Sequence, residues 1–214
     1  MLFLLFGSSA AGKTFALNAL RDRVEVLAIH DFDEIGVPPG GDTAWRQQAN
    51  EQWVRRALEY QAAGIDLLLA GQTPYGELLA APSATRLEAI SACLIDCDDD
   101  TRVERLQARG PEWFERSGGD LQDYLNWAAW MRRHAADPSW RTDVIQIDAE
   151  GTEMQWSRWI DWRVGDPRWR VRVIDTSAVP VEEVAARLIE WIHEERTLLR
   201  VGAHPLRADQ PLRD

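Results

Sequence analysis

The sequence predicts a three-layer α/β fold, a five-stranded parallel sheet with helices on both faces and a helical Trp-rich insertion. Three observations carry this. Five short runs are continuously apolar, as strands buried on both faces of a parallel sheet must be. Segments of helical period separate them, and alternating strands and helices imply helices layered on such a sheet. A glycine-rich turn joins the first run to the first helix. At 214 residues and 45% hydrophobic, the chain can form one well-buried domain over residues 1–194, leaving residues 195–214 as a polar tail.

Leu2 to Phe6 is the first run, ending at Gly7, and Thr14 to Arg23 reads as the helix that follows. Val24 to Ile29 is the second run, opening into the polar cluster His30, Asp31, Phe32, Asp33 and Glu34. Beyond the Pro38-Pro39-Gly40-Gly41 break, Asp42 or Thr43 caps a long helix. Trp45, Ala49, Trp53, Ala57 and Leu58 recur along it at helical spacing, and it should end near Gly64. Asp66 to Ala70, closed by Gly71, is the third run; Ala92 to Ile95, closed by Asp96, is the fourth; Val171 to Ile174 is the fifth. Pro180 opens a final helix with Glu182 and Glu183 in its first turn and Val181, Val184, Ala185, Leu188, Ile189 and Ile192 at helical spacing.

The alternation breaks between Pro111 and Arg170, which hold eight of the eleven tryptophans and no clear core strand. One reading makes this segment a helical lid or acceptor pocket. The other makes Trp127 with Trp130, and Trp156 with Trp159 and Trp162, the packed faces of two helices.

A net charge of −11 and a pI near 4.9 argue against a general affinity for nucleic acid or anionic membrane, because both need an exposed basic field. The apolar opening of six residues is too short for a secretory or membrane segment, so a cytoplasmic location is expected. Cys93 and Cys97 fall in one apparent strand with their Cα atoms about 13 Å apart, too far to bridge, and read as reduced core thiols. Self-association into a homodimer stays open.

The chemistry starts at Gly7-Ser8-Ser9-Ala10-Ala11-Gly12-Lys13-Thr14, which fits G-x-x-x-x-G-K-S/T between a buried strand and a helix, the context this motif requires. The glycines let successive N–H groups and the helix N-terminus face a phosphate. Lys13 would neutralise the β and γ phosphates of ATP and the Thr14 hydroxyl would ligate Mg²⁺. Lys13 is the only lysine among the 24 basic residues. A P-loop NTPase fold follows.

GTPases read guanine with N/T-K-x-D, and no second lysine exists to supply it. Hydrolytic ATPases end a core strand in an acidic residue, whereas the Leu67 to Ala70 run ends in Gly71, Gln72 and Thr73. The remaining pieces resemble the small P-loop kinases: nucleoside-monophosphate, shikimate and gluconate kinases, and most closely the chloramphenicol phosphotransferase type. The loop Gly7 to Lys13 looks like that phosphotransferase's loop, Asp31-Phe32-Asp33 is similar to the D-x-D of shikimate kinases, and Ala63-Gly64 and Val173-Ile174-Asp175-Thr176-Ser177 also fit. Arg105-Leu106-Gln107-Ala108-Arg109 is similar to the family's R-x-x-x-R at the base of the lid. The resemblance implies an ATP- and Mg²⁺-dependent kinase in which Arg105 stacks on adenine, Arg109 reaches the phosphates, and Thr176 borders the nucleotide. Arg102 is a stand-in for either arginine. The insertion matches no known lid, and no acceptor signature is recognisable.

Such a kinase needs a carboxylate to take or orient the proton of the acceptor hydroxyl. Asp31 and Asp33 sit at the carboxyl end of a strand beside the loop, where open α/β sheets place ligands. If extended they project to opposite sides, so Asp33 is read as the base and Asp31 as the metal-side partner, with the reverse assignment open. His30 reads as structural. The acceptor is expected to be small, hydroxyl-bearing and largely uncharged, because residues 30–37 and 71–78 hold no arginine. It would lie between Asp31 to Glu34, the hydrogen-bonding Gln72-Thr73-Pro74-Tyr75 turn and the tryptophans. A nucleotide-binding regulatory protein with little turnover, or a nucleotide or polynucleotide kinase, are the alternatives.

Overall fold

The computed structural model describes residues 1–206 except Asp22. Among them, five strands form one all-parallel sheet: β1 (Leu2–Phe6), β2 (Leu27–Asp31), β3 (Asp66–Gly71), β4 (Ile90–Asp96) and β5 (Val171–Asp175), in the order β2-β3-β1-β4-β5. The helices are α1 (Lys13–Leu20), α2 (Thr43–Ala62), α3 (Tyr75–Ala80), α4 (Asp99–Gln107), α5 (Pro111–Ser117), α6 (Leu121–Ala136) and α7 (Val181–Arg200).

Strand pleating sends alternate residues to opposite faces. Leu2, Leu4 and Phe6 of β1 join Trp53 and Val54 of α2 and Leu78 and Leu79 of α3 in one core. Phe3 and Leu5 join Leu17 of α1 and Leu188 and Trp191 of α7 in the other. Register runs Leu4 beside Leu69 of β3 and Ala92 of β4, so the centre of the sheet is apolar on both sides. β1 therefore feeds α1 on one face while neighbouring β3 feeds α3 on the other. That divergence opens a crevice at the carboxyl end of the sheet, and it fixes where a ligand can sit.

Several elements depart from the sequence expectation. β2 starts at Leu27 because Val26 takes a left-handed conformation at φ 57°, turning its side chain outward to 58% exposure. The expected tail is helix as far as Arg200, and it then docks. Ser91 donates to buried Glu195 (3.0 Å), and its hydroxyl lies 2.8 Å from Nε2 of buried His204. A buried Glu and His look like solvated tail in a sequence, which is why residues 195–206 read as polar; residues 207–214 lie outside the described residues.

The Trp-rich segment is mostly core. Trp130, Trp159, Trp162 and Trp169 are buried in the cluster over α2 and α3. Trp127 and Trp130 stack 4.9 Å apart on α6, but Trp156 to Trp162 lie on a 3-10 turn and coil rather than on a second helix. Gly76 in α3 makes this possible: a Cβ there would stand 2.5 Å from Cζ2 of Trp159. His134 stacks 4.6 Å from Trp130, and burial pushes its imidazole down to about 4, so it sits in this core as a neutral ring.

Candidate nucleotide and acceptor site

The loop from Gly7 to Thr14 curls at the carboxyl end of β1. Gly12, at φ 95°, caps α1 in a left-handed conformation that L-residues with a Cβ adopt only at a cost. Ala10 does so at φ 63°, for about 1–2 kcal/mol. Arginines brace the strained turn from below. Buried Arg102 donates to the Ser9 carbonyl and to the Asp96 carboxylate. Arg105 donates to the carbonyls of Ala10 (3.2 Å) and Thr176 (2.7 Å) and to the Thr176 hydroxyl (2.9 Å). That hydroxyl lies 3.0 Å from the Ala11 carbonyl, to which it can donate. Arg102 is thus a buried support and no substitute for a phosphate-binding arginine. Its place in a charged stretch of α4 hid this role.

Beside the loop lies a cleft of about 620 Å³ lined by Ser9 to Ala16, Asp31, Asp33, Gln72, Arg105, Arg109 and Thr176. The predicted site residues come together here, with Gly7 and Ser8 just behind. Nζ of Lys13 donates to the carbonyls of Gly7 (2.7 Å) and Ser8 (3.0 Å). Thr14 lines the cleft and is exposed. Val179, Val181 and Val184 also line the cleft and make an apolar wall suited to a nucleobase; the helical spacing of Val181 and Val184 marked those two only as core.

The carboxylates do not splay apart. The chain turns into a 3-10 helix (Phe32–Ile35) immediately after Asp31, whose Oδ1 accepts the Asp33 N–H at 3.1 Å. Both line the same cleft. Desolvation first, and the Asp31 charge second, raise the Asp33 carboxyl above the ordinary aspartate value, against the pull of Lys13. Lys13 is lowered to about 8: burial lowers it, Asp31 partly restores it, and Arg102 and Arg109 lower it further.

Among the described residues no group of three or more His, Cys, Asp or Glu side chains forms a metal cage. Thr14 with Asp31 fits Mg²⁺, which keeps water and phosphate oxygens as most of its ligands.

On the acceptor side the turn expected to offer hydroxyls does not. Thr73 and Tyr75 are each 1% exposed; Thr73 donates to Asn50 at 2.8 Å, leaving Gln72 as the cleft residue of that turn. No tryptophan lines the cleft. Trp113 touches a lining residue, its ring lying 4.6 Å from the Arg109 guanidinium. It packs with Phe114 and Tyr124 at centroid separations of 5.2 and 5.1 Å, outside both cores, and the Ser8 hydroxyl donates to the Tyr124 carbonyl at 3.2 Å. Any cover over the site is expected to come from about residues 109–124, where this packing lies outside both cores. With a nonhydrolysable ATP analogue, amide exchange is expected to slow there and to stay unchanged at the residues of 125–170 that are buried in the core, such as Trp130, Met131 and Trp159. Identical exchange in 109–124 with and without the analogue overturns the lid.

The fold is a buried parallel sheet whose central strand runs through a glycine-bounded loop into a helix. Among solved structures, a sugar kinase from Janibacter sp. HTCC2649 superimposes with a TM-score of 0.53 at 12% identity, over 90% of this chain and 94% of its own. Shikimate kinase from Aquifex aeolicus gives 0.46 at 14% identity, over 92% and 99%. No family model matches the chain, and no curated protein matches it by sequence. The structural likeness establishes the fold alone. Among the described residues, no helix is long and apolar enough to cross a membrane.

Proposed function

We propose that this chain is an ATP-dependent phosphotransferase that passes the γ-phosphoryl group to a hydroxyl of a small, largely uncharged molecule. The observation that carries it is the convergence of Lys13, Asp31, Asp33 and Arg109 on one cleft beside the loop. In such a transfer the bond from the γ-phosphorus to the β–γ bridging oxygen breaks and a bond to the acceptor oxygen forms. The acceptor proton passes to Asp33 and ADP leaves. Bound Mg²⁺ would neutralise charge on the β and γ oxygens. Lys13 and Arg109 supply fixed positive charge, and Asp33, with its raised affinity for a proton, is the better-matched base of the two aspartates.

A neutral acceptor follows from how the arginines are spent. Arg46, one turn into α2, forms a two-pronged pair with the buried Glu77. Arg132 is held by Asp96 and Asp99, and Arg105 by the loop and Thr176. Arg109 is left for the phosphates. The test is ADP release from Mg·ATP across a panel of neutral hydroxyl compounds, nucleoside monophosphates and acidic sugars. Stimulation above the water-only rate by a neutral compound is expected; stimulation confined to anionic acceptors overturns the acceptor class.

Lys13 carries a pH prediction. With its amine near 8 in the free protein, a group lowered by burial is increasingly neutral above that pH, whereas a triphosphate in contact demands the cation. Nucleotide binding at pH 8.5 should therefore take up roughly half a proton or more, and affinity should fall as pH rises further. Calorimetry in two buffers of different ionisation enthalpy measures this. No proton uptake at pH 8.5 removes Lys13 from the phosphate contact.

A further inference from the structure

His30 and Glu34 flank the two aspartates and have so far been given no role. Their contacts form an unbroken chain. Nε2 of His30 lies 2.8 Å from the Tyr60 hydroxyl on α2, and Nδ1 lies 2.7 Å from Oε2 of Glu34. Oε1 of Glu34 accepts the Asp31 N–H at 3.0 Å, and Oδ1 of Asp31 accepts the Asp33 N–H at 3.1 Å. A carboxylate only accepts, so Nδ1–H donates to Glu34, while Nε2 pairs with the Tyr60 hydroxyl, accepting its O–H or donating to its oxygen according to whether the ring carries one proton or two. The imidazole also packs against Trp53 at 5.3 Å, a residue buried in the core whose indole N–H donates to the Phe32 carbonyl at 3.0 Å.

We infer that Tyr60, His30 and Glu34 are positioning residues that transmit the rigidity of α2 to the Asp31–Asp33 turn and set the direction in which these carboxylates meet metal and acceptor. This rests on the phosphotransferase reading above. The reason is geometric. β2 is an edge strand of the sheet, so at Asp31 the chain leaves the sheet supported on one side only, and a turn of four residues has little intrinsic stiffness. The Glu34 carboxylate closes that turn on itself, while His30 fastens Glu34 to a helix seated in the core. With Oδ1 of Asp31 committed to the Asp33 N–H, Oδ2 is the oxygen left to face a metal. Loss of the Glu34 anchor frees the Asp31 backbone and with it that direction.

The test is binding of a nonhydrolysable ATP analogue as a function of Mg²⁺, with melting temperature measured alongside. Glu34→Ala is expected to raise the Mg²⁺ concentration for half-maximal binding by about fivefold or more, with metal-free affinity for the analogue changed less than about twofold. Glu34→Gln removes the charge yet keeps the chain: its amide oxygen accepts the Asp31 N–H, its NH₂ donates to Nδ1, and Nε2–H donates to Tyr60. It should retain near wild-type Mg²⁺ dependence. Tyr60→Phe deletes only the far anchor and should give a shift in the same direction, of roughly two- to threefold; it also serves if the alanine variant does not fold. Equal weakening by Gln and Ala would assign the effect to charge and overturn the positioning role. So would a lowered melting temperature with unchanged Mg²⁺ dependence in all three variants. Wild-type protein that binds the analogue without any Mg²⁺ dependence overturns the phosphotransferase reading and this inference with it; a Mg²⁺-dependent wild type with unaffected variants overturns this inference alone.

Discussion

Replacing Lys13 by alanine is expected to abolish phosphoryl transfer, a loss of at least about 10²–10³-fold, while the protein stays folded. The loss should be large because nothing can substitute. Lys13 is the sole lysine of the chain, Arg102 is buried against Ser9 and Asp96, and Arg105 is committed to Ala10 and Thr176. Charge on the β and γ oxygens would then be met on the loop side by backbone N–H groups alone. The fold should survive because the partners Lys13 gives up are the Gly7 and Ser8 carbonyls, which water entering the cleft can satisfy. Both cores lie behind the loop and lose no contact. Turnover of Mg·ATP and melting temperature together check the prediction, and unchanged turnover would sink the phosphotransferase reading as a whole.

The centre of the sheet was legible because β1, β3 and β4 are buried on both faces, so continuous apolar runs such as Leu2 to Phe6 could be recognised without help from partners. The loop from Gly7 to Thr14 was legible for a different reason: a tight turn between strand and helix demands particular residues at particular spacings, and Gly12, at φ 95°, meets that demand locally. Asp31 and Asp33 could be placed near the loop from strand position alone. Their relation to each other could not. Whether two carboxylates at i and i+2 splay or converge depends on whether the chain stays extended, and here the 3-10 turn at Phe32 brings them into one cleft.

Other features were hidden because they depend on tertiary contacts with no local signature. Arg102 and Arg105 lie three apart in α4, a spacing that describes a solvated face as well as it describes two braces under a loop. Thr73 and Tyr75 follow a strand in a turn-like stretch, which suggested exposed hydroxyls. The Arg46 to Glu77 pair instead draws that turn inward, and Tyr75 packs 4.9 Å from Trp169. Trp156, Trp159 and Trp162 carry the spacing of a helix face yet pack from a 3-10 turn and irregular chain, so their periodicity pointed to a helix that is not there. His30 was set aside as a lone histidine at a strand end. Only the positions of Tyr60, thirty residues on, and of Glu34 reveal that it is bonded at both nitrogens.

The two aspartates should separate by which quantity each controls. Asp33→Asn, which deprives the acceptor hydroxyl of its base, is expected to lower kcat by about 10²–10⁴-fold with little change in the affinity for Mg·ATP. Asp31→Asn should chiefly weaken the response to Mg²⁺. It carries a second consequence through pH. A base must be ionised to work, so activity falls as pH drops through the Asp33 value, which desolvation and then the neighbouring Asp31 charge hold above normal. Removing the Asp31 charge takes away the second of these causes and lowers the Asp33 value. The acid limb of the kcat profile should therefore move to lower pH in Asp31→Asn at saturating Mg²⁺, whereas the residual activity of Asp33→Asn should lose that limb. If the roles are reversed, the patterns exchange between the two variants: Asp31→Asn loses the limb and Asp33→Asn shifts the Mg²⁺ response. If neither variant lowers turnover by more than about threefold at any pH, these carboxylates do not act on the acceptor hydroxyl, and the base must be sought among the residues that close over the cleft from 109–124.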